Sequence, residues 1–263
     1  MITQTRLKGL RVLVTRPEGQ QRPLLQAIEA AGGRPVSLPL MEIVAISDPE
    51  RVRVLEDCLR NLDRYQIALF VSTNAAVQTR AWLDRLGLTF PDTIKVVAIG
   101  ASTAEALAAS GISSILPHTG NTSEDVLAMP ELADVAGKHI AVFRGRGGRE
   151  LIAEQLNSRC ATLDNIELYE RQTPTSPGLH LQELVATGAV DVITVTSSQV
   201  LQNLCELSGD KQGSVRLIPL LVPSERVRVQ AIQAGFAFVV NAKGADVVSV
   251  IEALAVLADK MQA

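Results

Sequence analysis

The chain has 263 residues with 47% hydrophobic and 20% charged side chains, which suits a folded globular protein and excludes disorder. Its net charge of −3 argues against a general nucleic-acid or membrane-surface binder, and aromatic residues are only 3%, too few for abundant stacking platforms. Three scattered cysteines and three scattered histidines exclude a disulfide framework and a zinc or iron–sulfur site. With no leader and no apolar run near the ~20 residues of a membrane span, the expected location is the cytoplasm.

In chain order, short β-branched apolar runs at 11–15, 35–39, 67–72, 95–99, 139–143, 164–169, 191–196, 216–222 and 237–241 read as strands. Between them lie helical patterns such as "QRPLLQAIEAAGG" and "STAEALAASG", with apolar residues three to four apart and glycine at the end. The alternation predicts an α/β fold of parallel sheets flanked by helices.

The pattern is also duplicated. "RVLVTRPEGQQRPLLQAIEAAGGRPVSLPLMEI" parallels "HIAVFRGRGGRELIAEQLNSRCATLDNIELYE", "IALFVSTNAAVQTRAWL" parallels "DVITVTSSQVLQNLCEL", and "VAIGASTAEALAASGI" parallels "LVPSERVRVQAIQAGF". Two halves, about 11–125 and 139–250, therefore predict two similar lobes with a cleft between them.

Chemistry-bearing residues concentrate where strands hand over to helices. In "VFRGRGGRELIAEQL", Arg144, Gly145, Arg146 and Arg149 occupy such a turn. Unpaired N–H groups and the helix dipole favour an anion there. The turn is neither a Walker A loop nor a dinucleotide fingerprint. Arg146, in mid-turn, reads as a solvated arginine paired with an acid such as Glu150, whereas Arg144 and Arg149 are the better anion ligands. Hydroxyl turns recur at Ser72-Thr73-Asn74, Ser102-Thr103, Ser197-Ser198 and Ser224. Each hydroxyl is an expected N-cap. Each also lies at the carboxyl edge of a parallel sheet, where ligands bind. No Ser-His-Asp or Cys-His set is assignable, and Asp191, at a strand start, lies at the opposite edge.

The motifs "VLVTRPEGQ", "LFVSTNAAV", "VAIGASTAEAL", "RGRGGRELIAEQL", "ELYERQTP", "ITVTSSQVLQNL" and "LVPSERVRVQAIQAGF" cover nearly the whole chain. Together, and in this order, they resemble the uroporphyrinogen-III synthase family. The resemblance implies a bilobal fold, with lobe one from 1–38 and 173–263 and lobe two from 39–172. Extended linker strands near 39–46 and 164–172 would join them. It implies a hydro-lyase of porphyrin and heme biosynthesis. Linear hydroxymethylbilane is cyclised with inversion of ring D, water is released, and no cofactor or metal takes part. The substrate carries a carboxylate on every acetate and propionate arm, which gives the arginine turn an occupant. On this resemblance Tyr169 hydrogen-bonds the departing hydroxyl. Arg16, Ser72, Thr73, Asn74, Gly100, Ser102, Thr103, Arg144, Gly145, Arg149, Ser197, Ser198 and Ser224 hold the substrate. At "VPSERV", Glu225 and Arg226 follow Ser224 where many members carry a second small hydroxyl residue, which weakens that contact. The expected partners are the bilane and, transiently, the deaminase that makes it, with the chain a monomer.

A non-catalytic tetrapyrrole or polyanion sensor of the same fold is the alternative. The end of the chain after "VVSVIEALAVLADKMQA" leaves no output domain and favours the enzyme. A phosphate- or nucleotide-binding transferase ranks last, lacking a partner lysine, a metal-binding carboxylate pair and a ribose-reading acid.

Overall fold

A computed structural model of the protein describes residues 6–118, 120, 122–147, 150–174, 177–208 and 213–261. The first elements are β1 (Arg11–Val14), α1 (Glu18–Ala30), β2 (Arg34–Ser37), β3 (Glu42–Ala45), α2 (Pro49–Arg60), β4 (Ile67–Phe70) and α3 (Thr73–Leu86). There follow β5 (Lys95–Ala98), α4 (Ala101–Ala108), α5 (Ser123–Leu127), β6 (His139–Gly145), α6 (Leu151–Ser158) and β7 (Thr162–Gln172). The last are α7 (Pro177–Ala186), β8 (Val192–Thr194), α8 (Ser198–Leu207), β9 (Leu220–Val222), α9 (Glu225–Gln233), β10 (Val239–Asn241) and α10 (Val247–Lys260). The run at 216–222 is a strand only from Leu220, because Ser214–Leu217 winds into a 3-10 turn that buries Val215 and Arg216.

The chain divides into two compact units, Met1–Glu42 with Gln172–Ala263, and Ile43–Arg171. In the first, one five-stranded sheet has the order β10-β9-β8-β1-β2. Its pairs run parallel, for example Val12↔Val192 and Val12↔Pro35. In the second the order is β3-β7-β6-β4-β5, with β4, β5, β6 and β7 mutually parallel. The two segments read as extended linkers are thus the hydrogen-bonded neighbours β3 and β7.

The repeat explains these orders. Its paired segments are β1-α1-β2 with β6-α6-β7, β8 with β4, and β9 with β5. Accordingly β2-β1-β8-β9 in one unit matches β7-β6-β4-β5 in the other. Where β10 flanks β9, an isolated parallel bridge from Ile115 to Val97 flanks β5. Each half of the sequence therefore contributes strands to both sheets.

Parallel sheets covered on both faces bury every residue of a central strand, which is why the strands read as continuous apolar runs. In the second unit Ala68, Phe70, Ala141 and Phe143 join one core, while Ile67, Leu69, Ile140 and Val142 join the other. Phe70 and Phe143 stack with ring centroids 4.3 Å apart. In the first unit Val12, Val14, Val192 and Leu221 pack against Leu24, Ile28 and Leu254 of α1 and α10.

The amino-terminal edge of the first sheet is clamped by charge. Asp191, just before β8, accepts the Arg11 backbone N–H at 2.8 Å and its Nε at 2.9 Å, and also pairs with Nη2. The Arg11 guanidinium holds the Asp191 carboxyl below its ordinary value. A lowered carboxyl pKa adds stability that is present above the ordinary carboxylate value and lost as pH falls through the folded one. Asp191→Asn should therefore lower the denaturant midpoint at neutral pH and flatten its fall in acid. A midpoint-versus-pH series overlaying the parent would show that the clamp contributes nothing.

Candidate active site

The parallel strands of the second unit deliver their carboxyl ends to one edge, and the turns that follow carry most of the predicted residues. After β4, Ser72 is the N-cap of α3, its Oγ accepting the Ala75 N–H at 3.1 Å. Thr73 is exposed and Asn74 half-buried. After β5, Gly100 caps α4, with Ser102 exposed and Thr103 buried in its first turn. The last residues of β6 are Arg144 and Gly145, both buried. Arg149 lies outside the described residues.

Tyr169 is placed here by an irregularity in pairing. Along β7 Ile166 and Leu168 face the core by simple alternation, so Tyr169 would face away. Instead Arg144 pairs with Glu167 while Gly145 pairs with Tyr169, leaving Leu168 as the extra residue of a β-bulge. Such a bulge re-aims the side chain after it. Leu168 and Tyr169 consequently enter the same core, both 0% exposed. The Tyr169 carbonyl accepts the Arg146 N–H at 2.9 Å. Its ring lies against the Gly145 backbone so closely that a Cβ there would stand 2.5 Å from Cζ and 2.9 Å from Oη.

Among the described residues, two polar groups hydrogen-bond the phenol hydroxyl. Ser72 Oγ is 2.9 Å away, with either atom able to donate, and Arg171 Nη2 donates at 3.2 Å. Tyr169, Ser72 and Gly145 are thus in direct contact, as three predicted residues from three strand ends. Arg144, the β6 residue before Gly145, is turned elsewhere. Its buried guanidinium meets the Glu150 carboxylate at 3.1 Å and Asn165 Oδ1 at 3.4 Å. Arg146 is exposed and paired at 2.8 Å with Glu170 rather than Glu150, because Arg144 occupies Glu150.

Sequence reasoning missed Arg171. The signal was present, since residues two apart on a strand share a face. A separate cavity in this unit, lined by Asp48, Arg51, Cys58 and Glu167 among others, holds none of the predicted residues.

In the first unit the same edge presents Arg16 after β1, Ser197 and Ser198 after β8, and Ser224 after β9. Ser197 and Ser224 are N-caps, accepting the Val200 and Val227 N–H groups at 3.3 and 3.4 Å. Ser198 donates to Gln230 Oε1 at 2.7 Å. Arg16 Nη2 donates to the Ala245 carbonyl, while its Nε is buried without a hydrogen-bond partner. Burial lowers the Arg16 pKa, and nearby Asp246 partly offsets this. Each predicted serine is thus a cap, or tied to a neighbour, at the edge where ligands bind.

Ser72 holds both a helix and the phenol, which separates two effects of one substitution. Ser72→Ala should cost about 1 kcal/mol in a denaturant melt, the usual worth of an N-cap, and should also slow turnover. Asp48→Ala removes the cap of α2, whose carboxylate accepts the Arg51 N–H at 3.0 Å, and should lower stability alone. Equal activity losses in the two variants would reduce Ser72 to a cap.

Together these features define a duplicated α/β protein whose sheet edges are lined with hydroxyl and arginine turns. Among the described residues no cluster of side chains is suited to hold a metal ion, and no helix is long and apolar enough to cross a membrane. A family model described as uroporphyrinogen-III synthase HemD matches residues 22–252, and the chain belongs to that family. It is 32% identical to the uroporphyrinogen-III synthase of Salmonella typhimurium over 92% of this chain and 99% of that one. With the uroporphyrinogen-III synthase of Proteus mirabilis it shares 36% over 61% of this chain and 79% of the relative. Among solved structures, a mutant uroporphyrinogen III synthase from the extremely thermophilic bacterium Thermus thermophilus superposes with a TM-score of 0.64. The sequences are 18% identical, and the match covers 96% of this chain and all of that one, so it supports the fold.

Proposed function

We propose that this protein is a cyclising hydro-lyase that converts hydroxymethylbilane to uroporphyrinogen III and water, with Tyr169 as its acid. Beyond family membership, the observation that carries the reading is the placement of Tyr169. A bulge turns its phenol to the carboxyl edge of a parallel sheet, where Ser72 and Arg171 meet the hydroxyl. When Ser72 donates, the phenol oxygen accepts that hydrogen bond and its own proton is left to be given. The acceptor is the hydroxyl leaving the bilane.

Departure of that hydroxyl leaves an azafulvenium, whose positive charge the pyrrole nitrogen shares. Attack by the substituted carbon of ring D gives a spiro intermediate, which fragments and recloses with the ring inverted. The electron-rich pyrroles supply most of the driving force. The protein's task is to fold the bilane so that inversion outruns direct closure to the type I isomer. Orientation of this kind is worth up to ~7–11 kcal/mol, and a positioned acid adds roughly 10²–10⁴-fold.

In this reading the substrate carboxylates are met by hydroxyls and N–H groups at the starts of α3, α4, α8 and α9, and by Arg16, Arg144 and Arg149. An arriving carboxylate competes with Glu150 for Arg144. The protein works as a cytoplasmic monomer, and its contact with the bilane-producing deaminase is transient. The test generates hydroxymethylbilane with a deaminase and follows its loss in the presence of a metal chelator. Loss in proportion to added protein supports metal-independent catalysis. Loss at the spontaneous rate favours the sensor reading.

A further inference from the structure

The Tyr169 phenol is 0% exposed. An acid enclosed in this way reaches a substrate only when something covering it moves. Two of its neighbours are fixed: Ser72 is tied to the first turn of α3 at 3.1 Å, and Gly145 is buried backbone. Another neighbour is Arg171, an exposed side chain at the end of β7. Its Nη2 lies 3.2 Å from the phenol oxygen, and its guanidinium carbon 5.5 Å from the ring centroid.

The charges nearby set Arg171 apart. Arg144 is met by Glu150 and Arg146 by Glu170. Among the described residues, the acceptor recorded for the Arg171 guanidinium is the neutral phenol. A carboxylate takes a guanidinium by two parallel charge-assisted hydrogen bonds, each about twice as strong as a neutral one. A carboxylate-bearing ligand at this edge therefore outcompetes the phenol for Arg171.

We propose that Arg171 is a receptor for a substrate carboxylate and also the cover of Tyr169, so that binding the carboxylate uncovers the acid. The identity of the ligand, a linear tetrapyrrole with acetate and propionate arms, rests on the synthase reading. The receptor and cover roles do not, because they are read on the free protein. The arrangement makes Arg171 a specificity-determining residue: a bilane lacking the carboxylate that reaches it leaves the acid covered.

The chain has two tyrosines, Tyr65 and Tyr169, so protein labelled with ¹³C at the tyrosine ε positions gives two sets of ring signals, assigned with Tyr65→Phe. A neutral soluble paramagnetic chelate then reports which ring solvent reaches. In the parent the Tyr169 signals are shielded, and sodium propionate, but not sodium chloride, opens them to the chelate. In Arg171→Gln they are open without propionate, and the thermal midpoint stays near the parent's because the side chain is exposed. The same variant raises KM for hydroxymethylbilane about tenfold or more, with a smaller change in kcat, as for loss of a ground-state contact. Arg171→Lys keeps the charge without the fork and falls between. Tyr169 remaining shielded in Arg171→Gln, or propionate acting no differently from chloride, overturns the proposal. Propionate opening Tyr169 in a protein that forms no type III product upholds the receptor and overturns the synthase reading.

Discussion

Tyr169→Phe should slow type III formation by roughly 10²-fold or more, the low end of what a positioned acid contributes, and leave the fold in place. The phenyl ring still fills the site between Gly145 and the core of the second unit. The groups that lose the phenol oxygen are not stranded. Ser72 keeps its bond to the Ala75 N–H, and Arg171 is exposed to water. The stability change is therefore that of one ordinary hydrogen bond, about 1 kcal/mol. Isomer-resolved chromatography of the products, with denaturant melts on the same samples, separates the two quantities. A variant with parental turnover would remove Tyr169 from the chemistry. One that fails to fold would make the phenol a structural bolt.

Gly145→Ala should be nearly as damaging by a different route. The backbone of Gly145 is not in the left-handed region, so alanine is conformationally allowed there. The obstacle is the Tyr169 ring, 2.5 Å at Cζ from the position a Cβ would take. The ring has little freedom to retreat, held by the Tyr169 carbonyl bond to Arg146 N–H and by full burial. Overpacking of this kind costs about 1–3 kcal/mol, and a shift near an ångström in a catalytic group removes about 10²-fold in rate. Tyr169→Leu in the same chain should recover much of the stability and none of the activity. That non-additivity is what a shared contact produces. Additive stability losses would mean the two residues do not press on one another.

The strand framework was legible because of its burial. Runs such as "IALF" and "IAVF" are apolar at every position only when both faces of a sheet are covered, and these became β4 and β6. The hydroxyl turns were legible for a related reason: serine before a helix satisfies orphan N–H groups wherever the helix starts. Ser72, Ser197 and Ser224 do this. What escaped depended on pairing between strands. Nothing in "ELYERQ" announces that Leu168 is an extra residue; the expectation of Tyr169 at the site comes from the family resemblance and not from strand alternation. The bulge exists only in register with β6. The burial of Arg144 escaped in the same way. Arg144 is 4% exposed near the end of β6, with the Glu150 carboxylate 3.1 Å from its guanidinium. Residues 216–217 carry strand-like side chains, yet they form a 3-10 turn that buries Val215 and Arg216 just before β9.

The central claim is ring inversion, and the isomer of the product reads it directly. Purified protein at catalytic concentration is given hydroxymethylbilane, and the oxidised products are resolved into type I and type III uroporphyrin by chromatography. The account predicts predominantly type III, in an amount that grows with protein and exceeds the type I formed spontaneously. Type I alone, at the rate seen without protein, would contradict it and leave a family member that binds tetrapyrroles without closing them.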